Sequence, residues 1–166
     1  MHNKLVYYTL NKLMIKIVFL GTPSFVESIR EVIQKNFELI ENIKNADLIV
    51  VASYGKILSK EELSIPKYGG VNIHPSALPK FRGSSPIQAQ ILQGVKESSI
   101  TFIKMDEEVD HGPILKVIPF KIKDDDTFES TAHRAFKKAS YALPEIINEY
   151  VQGKIKSIEQ DHSKAT

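Results

Sequence analysis

The sequence predicts a single α/β domain with a mostly parallel sheet and flanking helices. Short apolar runs that end at glycine or at a polar turn are typical of buried parallel strands. Segments with apolar residues at helical spacing alternate with these runs, which indicates crossover connections between parallel strands. The chain has 166 residues, which suits one domain, and no internal repeat or linker divides it.

The first elements follow from the apolar pattern between residues 15 and 53. The run 15–20 predicts a buried strand. Residues 24–35 predict a helix, with Ser24 as its N-cap. Residues 37–44 predict one or two further helical turns, and residues 47–53 predict a second buried strand.

The rest of the chain continues the alternation of strands and helices. We predict a short helix at 61–63, a strand at 70–74, a helix at 85–93, strands at 99–105 and 114–122, and a long helix at 127–151. Pro144 is expected to kink or split the last helix, because proline lacks the N–H that an interior position needs. Ligands of such sheets bind beyond the carboxyl ends of the strands, so the functional residues are expected there.

Composition narrows the function classes only slightly. The formal net charge of +2 neither requires nor excludes an anionic partner. The sequence contains no cysteine, which excludes disulfides and thiolate chemistry and suits a reducing, cytoplasmic location. No apolar run approaches the roughly 20 residues that a membrane span needs. Residues 1–13 are too polar for a secretory signal, and we expect them to be an N-terminal extension to a domain at 14–166; an ordinary edge strand or a disordered tail is the alternative.

The stretch NIHPSALPKFRG, residues 72–83, is the first candidate functional motif. Asn72 and His74 are two positions apart on a strand and therefore share a face, and Pro75 ends the strand. A side-chain amide beside an imidazole can stabilise an oxyanion. The alternative is structural: Asn72 would cap a loop, and His74 would be a partly buried histidine with satisfied hydrogen bonds.

The loop MDEEVDHGPIL, residues 105–115, supplies acidic side chains that can act with the histidine. Asp110 precedes a turn and is expected to project from the sheet edge beside His74. Its carboxylate would raise the pKa of His74 and keep the imidazole protonated or correctly oriented. Solvated turn residues remain the alternative for the other acids of the loop, Asp106, Glu107 and Glu108.

Together these two stretches resemble the formyltransferase family that uses 10-formyltetrahydrofolate. Its members show an Asn-x-His, a Ser-Leu-Leu-Pro turn and an aspartate before Gly-Pro. The stretches VFLGTPSFV and RGSSPIQ are most similar to the methionyl-tRNA formyltransferase branch, and DHSKAT resembles the end of that branch's catalytic domain. The resemblance implies a Rossmann-like formyltransferase fold over residues 14–166.

The resemblance also implies a site and a mechanism. Asn72, His74 and Asp110 match the family's catalytic trio. The implied folate-binding residues are Tyr54, Gly55, Lys56, Ile57, Leu58, Ser76, Ala77, Leu78, Pro79, Asp106, Glu107 and Val109. A primary amine would attack the formyl carbon of 10-formyltetrahydrofolate, and Asn72 with protonated His74 would hold the tetrahedral oxyanion. Asp110 would keep His74 charged and relay a proton through water, and no metal is implied.

Three departures from the family pattern bear on the acceptor. Ala77 replaces the first leucine of the usual turn, which leaves space in the predicted pocket wall. Family members have a strand, a long loop and a helix between the first helix and the strand that begins at residue 47. Residues 37–46 are too few to form them, so one βα unit is predicted to be missing. The resemblance implies a C-terminal barrel domain that grips tRNA in this branch; we expect a protein without it, and therefore a weak hold on initiator methionyl-tRNA.

Several functions therefore remain open at the level of sequence. The first is formyl transfer to initiator methionyl-tRNA. The second is formyl transfer to a small amine, such as a nucleotide-linked amino sugar. The third is a non-catalytic folate-binding remnant, and the hydrolase relative that passes the formyl group to water stays open beside it. The folate co-substrate is the common partner, no membrane partner is expected, and an oligomer is compatible with the shortened sheet.

Overall fold

The sheet of this protein has six strands in the order β2-β1-β3-β4-β5-β6. We analysed a computed structural model, which describes residues 14–22 and 24–166; the predicted N-terminal extension, residues 1–13, falls outside the described residues. The strands are β1 (Lys16–Leu20), β2 (Glu38–Ile40), β3 (Leu48–Val51), β4 (Gly70–His74), β5 (Glu97–Lys104) and β6 (Ile114–Lys121).

The sheet is divided into a parallel and an antiparallel part, and β4 belongs to both. Strands β2, β1, β3 and β4 pair in parallel. Strand β5 pairs antiparallel with β4 and with β6. The predicted α/β fold with a mostly parallel sheet is therefore confirmed, and β4 lies at the junction where the strand direction changes.

Helices cover the sheet, and the longest of them continues past its proline. The α-helices are α1 (Glu27–Asn36), α2 (Lys60–Ser64), α3 (Pro86–Leu92) and α4 (Phe128–Val151). Thr127 caps α4 in a capping box with Ser130, in which each side chain accepts from the backbone N–H of the other residue. Helix α4 runs through Pro144 as one element, so the expectation of a split at this residue is wrong.

Two sequence predictions near the start of the domain need correction. The prediction of helical turns at 37–44 is wrong for Glu38–Ile40, because this backbone pairs with β1 and forms the short edge strand β2. A 3-10 turn at Ile43–Asn45 follows this strand and leads into β3. Ser24 does not cap α1, because Ser24–Val26 forms a 3-10 turn and the helix begins at Glu27. The absence of a βα unit in this region stays a prediction.

The core explains why the carboxyl end of β4 is held firmly. All four residues of β3 are buried, and the neighbouring β4 residues Val71 and Ile73 are each 1% exposed. Apolar residues of α1 and α4, such as Ile33 and Phe136, belong to the same buried cluster. Burying such side chains is the main stabilising contribution to a domain of this size. Among the described residues, no helix has both the length and the apolar character that crossing a membrane requires.

Candidate active site

Strand β4 ends in a polar cluster that contains all three residues of the predicted trio. Asn72 and His74 point to the same face, as their spacing predicts, and the β5–β6 loop brings Asp110 against both of them. The amide nitrogen Nδ2 of Asn72 donates to Oδ1 of Asp110 at 2.9 Å. Nδ1 of His74 lies 3.4 Å from Oδ2 of Asp110. The structure thus brings together residues that are up to 38 positions apart in the chain.

Asp110 is the centre of this cluster. Its Oδ2 also accepts a hydrogen bond from the backbone N–H of Gly83 at 2.8 Å. Its backbone has a φ of 52°, a left-handed conformation that is uncommon for residues other than glycine. Its side chain is nearly buried, and both carboxylate oxygens have donors. The carboxylate is therefore oriented before any ligand arrives, while Asn72 keeps a second amide hydrogen for a ligand.

His74 is buried, and its two ring nitrogens have different partners. Nε2 lies 2.8 Å from the carbonyl oxygen of Phe81 and must carry a hydrogen, because a carbonyl only accepts. The 3.4 Å between Nδ1 and Asp110 exceeds the 2.7–2.9 Å that is typical of a charge-assisted hydrogen bond. The geometry therefore places a proton on Nε2 and makes the contact with Asp110 an electrostatic one at longer range.

The pKa of His74 is lowered, whereas the sequence-based interpretation has Asp110 keep the imidazole protonated or correctly oriented. Burial of the ring lowers the pKa of His74, and this effect outweighs the opposing effects of the Asp110 carboxylate and the Phe81 carbonyl. The nearby positive charge of Arg82 lowers it further. Asp110 raises the pKa of His74, as predicted, but burial of the ring outweighs it, and sequence spacing does not reveal how deeply the ring is buried.

The cluster lies at the floor of a cavity of about 640 Å³. Cavities of roughly 300–1,000 Å³ are typical of small-molecule sites. Apolar side chains such as Leu58, Ile103 and Met105 line its wall, and the polar trio converges at one end. This combination of an apolar wall and a few converging polar groups is suited to a flat organic ligand with a reactive polar end.

Seven of the twelve residues predicted to bind folate line this cavity. They are Tyr54, Gly55, Lys56, Ile57, Leu58, Asp106 and Val109. The first five form the segment after β3, and the other two precede Asp110 on the β5–β6 loop. The predicted pairing of these two segments around one pocket is therefore present in the structure, and their role in binding stays a prediction.

The other five predicted residues, Ser76, Ala77, Leu78, Pro79 and Glu107, lie outside the cavity lining. The turn after β4 folds towards β5, where Thr101 Oγ1 donates to the carbonyl oxygen of Ser76 at 2.6 Å. The predicted wall at residues 76–79 is thus not a wall of this cavity. Glu107 faces outward, and its Oε2 lies 3.5 Å from Nζ of Lys60.

The sequence reasoning missed residues that act through their backbone. Gly83 donates its N–H to Asp110, and the carbonyl oxygen of Phe81 accepts from His74. Sequence patterns identify side chains and seldom reveal which peptide groups a fold brings to a site. Gln160 was missed as well; its Nε2 donates to the carbonyl oxygen of Asp110 from 50 residues away. In the described part of the chain, no group of three or more His, Cys, Asp or Glu side chains could hold a metal ion.

The fold and the site together define a Rossmann-like α/β domain whose polar trio is suited to acyl-type chemistry. The chain belongs to the formyl transferase family, whose model matches residues 15–147. Over 134 residues it is 42% identical to methionyl-tRNA formyltransferase of Fusobacterium nucleatum. This match covers 80% of the chain and 43% of the relative, so the chain spans less than half of that protein's length.

Two solved structures have the same fold. A formyltransferase from Anoxybacillus kamchatkensis in complex with UDP-4,6-dideoxy-4-formamido-L-AltNAc and tetrahydrofolate superposes with a TM-score of 0.75 at 22% identity. That match covers 91% of this chain and 84% of the other. Methionyl-tRNA formyltransferase from Clostridium thermocellum superposes with a TM-score of 0.70 at 22% identity, covering 92% of this chain and 71% of that one. At this level of identity the likeness shows the fold alone.

Proposed function

We propose that residues 14–166 form a catalytic domain that transfers a formyl group from 10-formyltetrahydrofolate to the amino group of methionyl-tRNA. The observation that carries this proposal is the cluster of Asn72, His74 and Asp110 at the floor of a cavity of about 640 Å³. The 42% identity to a protein named methionyl-tRNA formyltransferase favours this acceptor.

The folate donor would lie along the segment after β3. Leu58, Ile103 and Met105 offer the apolar surface that a fused aromatic ring needs, and Asp106 adds a carboxylate to the lining. A neighbour with the same fold is named as a complex with tetrahydrofolate, which supports a folate-derived donor here. The reactive formyl end would then meet the trio at the floor.

In the reaction, the amine nitrogen attacks the formyl carbon, and the tetrahedral intermediate expels tetrahydrofolate after a proton passes from the attacking to the leaving nitrogen. The second amide hydrogen of Asn72 can donate to the developing oxyanion, because only one is used by Asp110. With its pKa lowered by burial and its proton on Nε2, a neutral His74 can accept the amine proton at Nδ1. Asp110 then stabilises the imidazolium that forms, and this replaces the permanently protonated histidine of the sequence-based mechanism.

The test is formyl transfer from 10-formyltetrahydrofolate with methionyl-tRNA, a nucleotide-linked amino sugar, or water as the acceptor. We expect transfer to methionyl-tRNA, with a loss of about 10²–10³-fold in Asn72→Ala because one oxyanion donor is removed. Asn36→Ala is the matched control, because Asn36 is exposed at the end of α1. Transfer to the amino sugar or to water alone would overturn the choice of acceptor.

A nucleotide-linked amino sugar is the second candidate acceptor. The support for it is that a formyltransferase with this fold is named as a complex with a UDP-linked formamido sugar. The same assay separates the two acceptors, since each product has its own mass. Tight folate binding with no transfer to any acceptor would instead support the non-catalytic folate-binding alternative.

A further inference from the structure

The segment 158–166 passes behind the site and contacts both loops that hold the trio. It joins the sheet through an antiparallel bridge between Ile158 and Ile114, the first residue of β6. From there it runs past the Asp110 loop and then past residues 79–82. We call residues 158–166 the rear strap. It touches the trio only from behind, and none of its residues lines the cavity.

Gln160 is the residue of the rear strap that reaches the Asp110 loop. Its side chain is 5% exposed, although glutamine is seldom buried in proteins. Its Nε2 donates to the carbonyl oxygens of Asp110 and Gly112, each at 2.8 Å. Both amide hydrogens are therefore used on the two peptide groups that follow the left-handed turn at Asp110.

The acceptor atom of the same amide is also occupied. Nη2 of Arg82 donates to Oε1 of Gln160 at 2.8 Å. Arg82 precedes Gly83, whose N–H donates to the carboxylate of Asp110. A closed ring of contacts thus joins Gln160, the 82–83 loop and Asp110, so the amide fixes the distance between the two loops.

The rear strap also holds the partner of His74. Thr166 Oγ1 accepts from the backbone N–H of Phe81 at 2.9 Å, and its carbonyl oxygen accepts from the N–H of Arg82 at 2.8 Å. Phe81 has a φ of 60°, the same unusual conformation as Asp110. Such backbone conformations persist only where the surroundings hold them. The rear strap thus contacts two left-handed residues: Phe81, which is bonded to His74, and Asp110, which belongs to the trio.

We propose that Gln160 is a positioning residue, which holds the Asp110 carboxylate in register with Asn72 and His74 through its contacts to the Asp110 backbone and Arg82. The expected effect on kcat rests on the proposed function. The expected effect on the position of Asp110 does not depend on any reaction. A misplacement of about 1 Å in a catalytic group can lower a rate by about 10²-fold.

The first test is the kinetics of Gln160→Met, which keeps the length of the side chain and removes its donors and its acceptor. We expect kcat to fall by about 10–100-fold, with KM for 10-formyltetrahydrofolate within about twofold of wild type, because no cavity-lining residue is changed. Gln152→Met is the matched control, since Gln152 is exposed after the last turn of α4. A purely structural role for Gln160 would lower the melting temperature and leave kcat unchanged, which would overturn the proposal.

The second test reads the position of Asp110 without any reaction. The imidazole of His74 is titrated by NMR, and its signal is assigned among the five histidines by comparison with His74→Gln. The charged groups that act on His74 are Asp110, which raises its pKa, and Arg82, which lowers it. We expect Gln160→Met to lower the pKa of His74, because the carboxylate moves away.

The two tests separate this inference from the proposed function. If the wild-type protein transfers no formyl group but Gln160→Met still lowers the pKa of His74, the function fails and the positioning role stands. If the folded Gln160→Met protein keeps both kcat and the His74 titration of wild type, the positioning role fails. A Gln160→Met protein that does not fold is replaced by Gln160→Asn, whose shorter amide cannot reach both loops and carries the same expectations.

Discussion

The two sides of the cavity differ in how they are held. On the side of the trio, His74 is 4% exposed and Asp110 is 9% exposed, and hydrogen bonds from Asn72 and Gly83 fix the carboxylate. On the opposite side, the segment 53–58 has no regular secondary structure, and Ile57 is 73% exposed. The same cavity therefore has one buried, hydrogen-bonded side and one open side.

The difference between the two sides indicates which side can stabilise developing charge and which side can bind a ligand. Groups that stabilise developing charge act best when they are oriented beforehand, because no reorganisation is then needed during the reaction. A surface that admits a ligand must instead have apolar area that is still exposed, so that its burial can stabilise the complex. We therefore expect substitutions on the trio side to change kcat and substitutions on the open side to change KM.

The largest effect is expected for Asp110→Asn. Two donors, from Asn72 and Gly83, converge on this side chain, and an amide offers only one acceptor oxygen for them. We expect kcat to fall by about 10³-fold with KM for the folate donor nearly unchanged. Asp124→Asn is the control, because the side chain of Asp124 is 94% exposed. A rise in KM at unchanged kcat would break the comparison between the two sides.

The open side is tested by Ile57→Ala. Burial of an isoleucine side chain by a ligand stabilises by about 1.5–3 kcal/mol, and about 1.4 kcal/mol corresponds to tenfold in affinity. We expect KM for the folate donor to rise about tenfold with kcat kept, and stability to change by less than about 0.5 kcal/mol. Leu92→Ala is the control, because Leu92 is 87% exposed and lies outside the cavity. Equal effects of both substitutions would contradict a specific role for Ile57.

A smaller effect is expected in the pH dependence of stability, which tests how deeply His74 is buried on the side of the trio. Burial lowers the pKa of His74 below its usual 6.5, so the unfolded chain binds a proton first as the pH falls. The contribution of His74 to the free energy of unfolding should therefore decrease as the pH drops below 6.5 and level off below the folded pKa. Denaturant titrations at several pH values measure this dependence, which should be weaker in His74→Gln. The same slope in both proteins would show that other groups cause it.

The smallest effect is expected for Lys60→Ala at the rim of the cavity. Lys60 Nζ and Glu107 Oε2 are 3.5 Å apart, and both side chains are more than half exposed. Exposed ion pairs typically contribute 0–1 kcal/mol, so we expect less than about 0.5 kcal/mol in stability and less than twofold in KM. A salt-dependent change of KM well above twofold would show that this pair belongs to the binding side.

Residues with a strong local pattern were predicted well. The apolar runs of β1, β3 and β4 are visible in the sequence because buried parallel strands are apolar on both faces. The spacing of Asn72 and His74 places them on one face for the same geometric reason. The edge strand β2 has only three residues, which is too short for periodicity to separate it from a helical turn.

Other features depend on contacts between distant parts of the chain. The turn at residues 76–79 folds towards Thr101, and its direction follows from packing against β5. The lowered pKa of His74 follows from burial, which no local pattern reports. Gln160 lies 50 residues after Asp110 and has no motif around it that indicates a buried amide. These features need the tertiary structure, because their causes are tertiary.

The position of the rear strap in the chain has a consequence for the order of synthesis. Gln160 and Thr166 follow every strand of the sheet, and their partners lie 50 and 85 residues earlier. A nascent chain emerges from the ribosome N-terminal end first, so the whole sheet is available to pair before the strap is. We therefore expect the sheet to form during translation before the rear strap can hold the loops of the trio. A newly made molecule would then fold before its trio is fully positioned.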